Sequence, residues 1–417
     1  MSGCDSGRVC PLSKRPPRRS HGETSGPSAF RAPQILPHGT GLVAGEPILR
    51  EIAVALAGAS DFGDEEYEAG LGTLLASLDQ DADLSEVGRQ VQAGMILTAL
   101  AGRLLSEKAM QEHPRFRDVD LGAPIIIIGL PRTGTTALQS MLCADPAHQG
   151  LELFLGQSPE PRPERARWHE VAGYRRCLAM LEQMPPEMRA IHPMQADQPD
   201  ECWHLLRQSF ASVTFQCAAG VQSYSDWWAS HDMRPAYQRW ANNLRMIGLN
   251  DPGRAWVLKD PSHLFACDAL LEAVPEARII MTHRDPACSI PSVASLNAYP
   301  RGMNDRVPNE TRLGAEQLDL WARGIERMMA VRDTRPEQFQ DVYFEELRTN
   351  PLGVAQNILA GAGRSLSDEG AAAMTEWSRR NQPHPHRYET QRFGLRADAI
   401  RDRFARYIEV FDVPREG

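Results

Sequence analysis

The sequence predicts an α/β protein of three layers, in which helices cover both faces of a central parallel sheet and a helical subdomain precedes the sheet. Residues 125–128 are four consecutive isoleucines, and a β-branched run that is apolar on both faces is typical of a buried parallel strand. Further short strands alternate with helical patterns along the chain, which is the arrangement that produces a parallel sheet. No apolar run approaches the roughly 18 residues needed to span a bilayer, so we expect a protein without a membrane span.

Composition limits the compartment and the partners. The chain has 417 residues, 42% hydrophobic and 24% charged, as in ordinary globular proteins. Its formal net charge of -9 argues against a nucleic-acid partner, which needs a broad basic surface. The basic N-terminal residues are not followed by the apolar segment of a secretory signal, and the eight cysteines show no metal-binding spacing. We therefore expect a cytoplasmic protein that holds no metal.

Three regions follow from the sequence pattern. Residues 1–44 are rich in Ser, Gly, Pro and Arg, which predicts a disordered arm. Residues 45–118 carry apolar side chains at helical spacing and are assigned to the helical subdomain. Residues 119–417 form the main domain, in which residues 151–250 are helical with proline breaks. Eight aromatic residues lie within residues 203–240; each taken alone is expected in the core, but together they are interpreted as a wall of an acceptor pocket.

The first predicted strand runs directly into a glycine-rich loop. Gly129-Leu-Pro-Arg-Thr-Gly-Thr-Thr136 follows the isoleucines, and apolar residues then recur at helical spacing. In this order, the loop amides and the helix N-terminus converge where they can hold an anionic oxygen group. The loop nearly matches the P-loop pattern G-x-x-x-x-G-K-[ST], but Thr135 stands in place of the lysine, and Arg132 carries the positive charge instead. A P-loop-type fold is therefore expected, whereas an ordinary ATPase or GTPase is disfavoured.

Three more strands are predicted at residues 255–259, 278–283 and 341–344. Ligands of parallel α/β sheets sit at the carboxyl ends of the strands. Lys259 and Arg284 lie at or just past such ends, as Arg132 does, so we expect one ligand to meet all three cations.

Two motif interpretations fail on spacing. The run His283-Arg284-Asp285 resembles a kinase catalytic loop, but Ile290 occupies the position of the metal-binding asparagine. The His, Asp, Glu and Cys residues within 192–202 fit no zinc pattern.

The stretch GLPRTGTT with its following helix resembles the 5'-phosphosulfate loop of sulfotransferases, which transfer a sulfuryl group from 3'-phosphoadenosine 5'-phosphosulfate (PAPS). The resemblance is closest to the branch of the tyrosylprotein sulfotransferases and many bacterial proteins, and its strongest blocks are residues 124–152, 254–296 and 384–395. It implies PAPS as the cofactor and a set of binding residues. That set is Arg132, Thr133, Gly134, Thr135 and Thr136 for the 5'-phosphosulfate, Arg284 and Ser292 for the 3'-phosphate, Lys259 for the departing phosphate oxygen, and Arg387 and Tyr388 over the adenosine.

The catalytic base has two candidates under this resemblance. Glu152 lies twenty residues after Arg132, the interval at which the tyrosylprotein branch has its catalytic glutamate. His192 is the alternative, because the cytosolic sulfotransferases use a histidine base, and a histidine pKa near 6.5 suits that role. The spacing favours Glu152.

The implied function is sulfuryl transfer to a hydroxyl acceptor, for which an apolar small molecule is favoured over a peptide tyrosine. Two alternatives stay open at this point. A P-loop kinase or other phosphotransferase would bind ATP and require magnesium, and a non-catalytic nucleotide-binding protein would bind without turnover. The protein is a possible homodimer, which the sequence does not decide.

Overall fold

A computed structural model describes residues 33–191, 194–381 and 390–416. Its five strands form one parallel sheet in the order β2-β3-β1-β4-β5. The strands are β1 (Ile125–Gly129), β2 (His148–Gln149), β3 (Ala255–Lys259), β4 (Arg278–His283) and β5 (Phe339–Tyr343). The predicted α/β class with a central parallel sheet is confirmed. The predicted strands correspond to β1, β3, β4 and β5, while β2 was missed because two residues carry no periodicity.

Helices make up most of the rest of the described chain. They are α1 (Leu42–Ala57), α2 (Glu68–Gln80), α3 (Glu86–Glu112), α4 (Thr135–Leu142), α5 (Leu153–Gln157), α6 (Ala172–Gln183), α7 (Pro186–Ile191), α8 (Trp203–Leu206), α9 (Thr214–Ala218), α10 (Gln222–Ser230), α11 (Arg234–Ile247), α12 (Cys267–Ala273), α13 (Pro286–Asn304), α14 (Glu310–Arg332), α15 (Phe344–Thr349), α16 (Pro351–Gly361), α17 (Asp368–Arg380), α18 (Ala397–Arg403) and α19 (Ala405–Val410).

The sheet is buried on both faces, as the isoleucine run predicts. Successive strand residues point to opposite faces, so Ile126 and Ile128 join one hydrophobic cluster while Ile125 and Ile127 join another. The second cluster contains side chains of α4, α16 and α17. The first contains α11, α12, α14 and the N-terminal helices. Because both faces are covered, a ligand can reach the sheet only at the ends of its strands.

The N-terminal helices belong to the same compact core as the sheet, because the apolar side chains of α1, α2 and α3 lie in the first cluster. Order also begins earlier than residue 45, where the sequence analysis placed it. Leu36 is fully buried, and the Gln90 side chain on α3 bonds both the amide and the carbonyl of Leu36. The predicted disordered arm is therefore wrong for residues 33–44, where Gln90 bonds the backbone of residues 35 and 36 and Asp79 accepts from the amides of residues 42 and 43. Residues 1–32 lie outside the described part.

Most of the aromatic residues within 203–240 are core residues, as expected for each one alone. Six of them are at most 3% exposed: Phe210, Phe215, Tyr224, Trp228, Tyr237 and Trp240. Trp203 and Trp227 are only partly buried. The acceptor-pocket wall therefore stays a prediction.

Within the described ranges, no helix combines the length and the apolar character that crossing a bilayer requires.

Candidate active site

The loop after β1 adopts a conformation that depends on its glycines. Gly129 and Gly134 have φ angles of 143° and 89°, and Arg132 is held at 71°. A Cβ on Gly134 would lie 3.0 Å from the Leu347 side chain, so both the backbone angle and the space require glycine. A non-glycine residue in the left-handed region, such as Arg132, is uncommon and clusters at functional sites.

The start of α4 presents donors to this loop. Gly134 is its N-cap and has no side chain to bond the first amides, which have no partner within the helix. The Thr133 hydroxyl is buried and is engaged by the Leu130 carbonyl and the Thr282 hydroxyl at 2.7 and 2.6 Å. Thr133 therefore has only its amide to offer an anion, whereas Thr136 is exposed.

Lys259 reaches the same place from the end of β3. Its ammonium donates to the Thr136 Oγ1 at 3.1 Å and to the Glu201 Oε1 at 2.5 Å. The lysine side chain is 2% exposed and Glu201 is 20% exposed. The structure thus joins β3, α4 and the segment before α8 at one ammonium group.

Arg132, Arg284 and Ser292 also lie close together. The Arg132 Nε donates to the Ser292 Oγ at 3.1 Å, and the Arg284 Nη1 donates to the Arg132 carbonyl at 2.9 Å. Ser292 lies on α13, which follows β4, and the Arg284 guanidinium stacks 4.1 Å from the centre of the Phe344 ring. These contacts place two guanidinium groups and a hydroxyl at the carboxyl edge of the sheet.

The Arg284 fork also bonds the C-terminal segment. Its Nε and Nη2 donate to the two carboxylate oxygens of Glu416 at 2.8 and 2.9 Å. The Glu416 amide donates to Asp285, and its carbonyl accepts from Arg401. Backbone contacts therefore hold Glu416 in place independently of its carboxylate.

Glu152 has a different environment from the loop residues. Its carboxylate accepts from Nε and Nη2 of Arg162 at 3.1 and 3.0 Å. Arg162 also bonds Gln149 and Asp251, and its guanidinium lies 5.2 Å from the Trp256 ring. Gln149 pairs with Trp256 near the start of β3, whereas Glu152 lies three residues further along the chain, and its backbone pairs with Pro199 in the segment that carries Glu201.

Asp260, next to Lys259, is a buried carboxyl group. Its Oδ1 accepts from the Ser262 amide at 2.8 Å, and its Oδ2 has no hydrogen-bond partner among the described residues. Burial, together with the negative charge of Glu201, raises the pKa of Asp260 to about 7. Glu201 is therefore close enough to Asp260 for its charge to affect the pKa of that carboxyl group.

Three predicted site residues cannot be placed. His192, Arg387 and Tyr388 lie outside the described residues. Within the described residues, no group of three or more His, Cys, Asp or Glu side chains is arranged to hold a metal ion.

Three residues of this region have contacts in the site that the sequence alone does not predict. Glu201 lies in a block whose residues fit no zinc pattern, and no sequence motif points to Arg162 or Glu416. Glu201 is the one that local sequence offered, because it lies in the block Pro199-Asp-Glu-Cys202. Contacts spanning 132 residues, such as Arg284 with Glu416, leave no local pattern.

Known proteins show similarity over most of this chain. Residues 124–368 match the family model described as the sulfotransferase family. The structure of sulfotransferase STF1 from Mycobacterium tuberculosis H37Rv is 38% identical, covers 88% of this chain and all of its own, and superposes with a TM-score of 0.80. Sulfotransferase STF9 from Mycobacterium avium is 26% identical, with 88% and 97% coverage and a TM-score of 0.79.

A further relative carries a substrate in its name. The omega-hydroxy-beta-dihydromenaquinone-9 sulfotransferase Stf3 of Mycobacterium bovis is 25% identical over 250 residues, which cover 58% of this chain. The match spans 62% of the relative, which is less than two thirds of its length. Together with the parallel sheet and the phosphate-type loop after β1, the family match over more than half of the sequence shows that this chain belongs to the sulfotransferase family.

Proposed function

We propose that this protein transfers a sulfuryl group from PAPS to a hydroxyl group of an apolar small molecule. The observation that carries the proposal is the meeting of the Lys259 ammonium with Thr136 beside the uncapped start of α4. A cation and a set of backbone donors at one point suit a group that becomes more negative as its bond breaks. The family match supports the same chemistry.

The loop residues would hold the 5'-phosphosulfate. Arg132 and the amides of residues 133–136 would bind the anion at the start of α4, and the Thr135 and Thr136 hydroxyls would add donors. Lys259 would stabilise the charge that develops on the departing phosphate oxygen. A sulfuryl group carries less charge than a phosphoryl group, so this set of donors supports the transfer without a metal in the proposed reaction.

Arg284 and Ser292 would recognise the 3'-phosphate. Arg284 offers a planar fork and Ser292 a hydroxyl, the combination that suits a terminal phosphate. The fork is bonded to Glu416 in this structure, so the two carboxylate oxygens occupy donors that phosphate oxygens would need. Because a carboxylate already satisfies these donors, the residues present fit an anionic oxygen group. Arg387 and Tyr388 over the adenosine stay predictions.

The acceptor class rests on a relative and on the pattern of aromatic residues. The named substrate of Stf3 is an apolar molecule with a hydroxyl group, and the partly buried Trp203 and Trp227 leave aromatic surface available in residues 203–240. Glu152 and His192 stay predictions for the catalytic base. The Glu152 carboxylate forms a salt bridge with Arg162.

Ligand-dependent thermal stabilisation tests this function against its alternatives. A ligand that binds only the native state raises the stability by about 2.7 kcal/mol when its concentration is a hundred times its Kd. We expect adenosine 3',5'-bisphosphate to raise the Tm in EDTA, and adenosine 5'-phosphate to do so less. A phosphotransferase would instead respond to ATP with magnesium and ignore the 3'-phosphate, and that response would refute the proposal.

Turnover of PAPS in EDTA distinguishes the proposed enzyme from a non-catalytic nucleotide-binding protein. A non-catalytic nucleotide-binding protein would show the same stabilisation by the bisphosphate but would release no bisphosphate from PAPS with any hydroxyl acceptor.

A further inference from the structure

We propose that Glu201 is the catalytic base that accepts the proton of the acceptor hydroxyl. The inference rests on the proposed sulfuryl transfer and names a residue for one step of it. It also assigns to Glu201 the role that the sequence predicted for Glu152 or His192.

The backbone around Glu201 is fixed to the loop site from two sides. The amide of Cys202 donates to the Lys259 carbonyl at 3.0 Å, so the segment is tied to the carboxyl end of β3. The Gln139 side chain on α4 donates to the Asp200 carbonyl at 3.2 Å. The Glu201 amide is engaged by the Asp200 carboxylate at 2.6 Å. A residue held in this way has a defined position relative to the loop, which a general base requires.

The carboxylate of Glu201 lies beside the reacting position. Its Oε1 and the Thr136 hydroxyl share the Lys259 ammonium, so the two oxygens lie within two hydrogen-bond lengths of each other. In the described ranges, no hydrogen bond engages the second oxygen, Oε2. The side chain keeps 20% of its surface exposed, whereas Lys259 keeps 2%. Oε2 is thus the carboxylate oxygen that an entering hydroxyl can meet.

Glu152 differs from Glu201 in its partner and not in having an unbonded oxygen. Two Arg162 nitrogens donate to its Oε2, no hydrogen bond in the described ranges engages its Oε1, and the same guanidinium also bonds Gly150 and Asp251. The Glu152 side chain is 10% exposed. Freeing this carboxylate to take a proton would leave a nearly buried guanidinium without one of its partners, which is unfavourable. The Glu201–Lys259 contact carries no such cost, because the departing phosphate oxygen gives Lys259 a new partner.

The chemical step balances with these groups alone. The acceptor hydroxyl oxygen forms the new bond to sulfur while its proton moves to Glu201. The bond between sulfur and the bridging phosphate oxygen breaks, and its electron pair stays on that oxygen, where Lys259 stabilises the charge. The products are the sulfate ester, adenosine 3',5'-bisphosphate and a protonated Glu201, which returns its proton to water.

The test compares Glu201→Gln with Glu152→Gln on the full chain, using PAPS with 1-decanol and with 4-nitrophenol as acceptors. Glutamine retains an oxygen that can accept from Lys259 but cannot take a proton at neutral pH. We expect Glu201→Gln to lower kcat with 1-decanol by about 100-fold or more, the usual contribution of a general base. The loss with 4-nitrophenol should be at least tenfold smaller, because this hydroxyl is already largely ionised at pH 8. The affinity for adenosine 3',5'-bisphosphate, measured by calorimetry, should hold within a few-fold.

Several results would overturn the assignment. Wild-type kcat in Glu201→Gln would exclude Glu201 as the base, and a large kcat loss confined to Glu152→Gln would return the role to Glu152. Equal losses with both acceptors would make Glu201 a positioning residue for Lys259 rather than the base. A wild-type protein that binds no bisphosphate and turns over neither acceptor would instead refute the proposed function, on which this inference rests.

Discussion

Glu416→Gln should tighten the binding of adenosine 3',5'-bisphosphate. In the structure, the carboxylate of Glu416 takes two of the Arg284 donors, and the proposed function assigns these donors to the 3'-phosphate. The two groups must separate before the phosphate can bind, so part of the binding free energy is spent on breaking the pair. Glutamine keeps the shape of the side chain but loses the charge, and the backbone contacts of Glu416 with Asp285 and Arg401 remain.

The size of the effect follows from the exposure of the pair. The side chains of Arg284 and Glu416 are 19% and 35% exposed, so the pair is neither a free surface pair nor a buried one. Exposed pairs contribute about 0.2–1 kcal/mol, and bidentate geometry adds to that value. We take about 1 kcal/mol, which corresponds to roughly fivefold tighter binding.

Isothermal titration calorimetry measures this change against two controls. Adenosine 5'-phosphate lacks the 3'-phosphate, so its Kd should be the same in wild type and Glu416→Gln. Glu409→Gln makes the same charge change on the exposed face of α19 and should leave both affinities unaltered. Equal tightening for both nucleotides would show a general charge effect, and no tightening for the bisphosphate would show that Arg284 does not receive its 3'-phosphate.

Three further substitutions test other parts of the account. Arg284→Ala should weaken the bisphosphate by about 10- to 150-fold, the value of a lost charged hydrogen bond, and equal weakening of adenosine 5'-phosphate in calorimetry would assign Arg284 to folding instead. Asp260→Asn tests the raised pKa of Asp260, which is about 7 in the folded protein. Because Asp260 loses its proton at a lower pH in the unfolded chain, the stability of the wild type decreases as the pH rises from about 4 to 7. Asparagine has no such proton, so the stability of the variant relative to wild type should increase by about 1–4 kcal/mol between pH 5 and pH 8 in urea unfolding, and a constant difference would contradict the raised pKa. Arg103→Met removes a fully buried guanidinium that pairs with Glu66 at 2.6 Å, and should lower the free energy of unfolding by about 3 kcal/mol in the same assay. Arg379→Met, at an exposed pair, should lower it far less, and similar losses would show that burial of Arg103 does not matter.

The parts of the fold predicted from sequence are those that local patterns determine. The isoleucines of β1 are apolar on both faces because the strand is covered on both faces, so a short stretch reveals its surroundings. The loop was recognised because Gly129 and Gly134 meet backbone requirements that leave few alternatives. Lys259 and Arg284 lie at strand ends, as predicted, because Lys259 is the last residue of β3 and Arg284 follows β4, two strands that local patterns predict.

The remaining features depend on contacts between distant segments. Residues 35 and 36 are bonded by Gln90, more than fifty residues away, and residues 42 and 43 by Asp79, whereas composition alone predicts a disordered arm. Glu152 was chosen by its interval from Arg132, but interval does not reveal that Arg162 engages its carboxylate. Glu201 approaches Lys259 only after the chain between them has folded through four helices, α8 to α11, so its sequence neighbours give no indication of that contact.

The central claim is most directly tested by following the sulfur atom. PAPS labelled with ³⁵S is incubated with the full chain in EDTA and with 1-decanol or 4-nitrophenol as acceptor, and the products are separated by chromatography and identified by mass. The account predicts that label moves to the sulfate ester of the acceptor, with one equivalent of adenosine 3',5'-bisphosphate formed for each equivalent of ester. Label that stays in PAPS under all these conditions, together with magnesium-dependent transfer of the ATP γ-phosphate to the same acceptors, would contradict it.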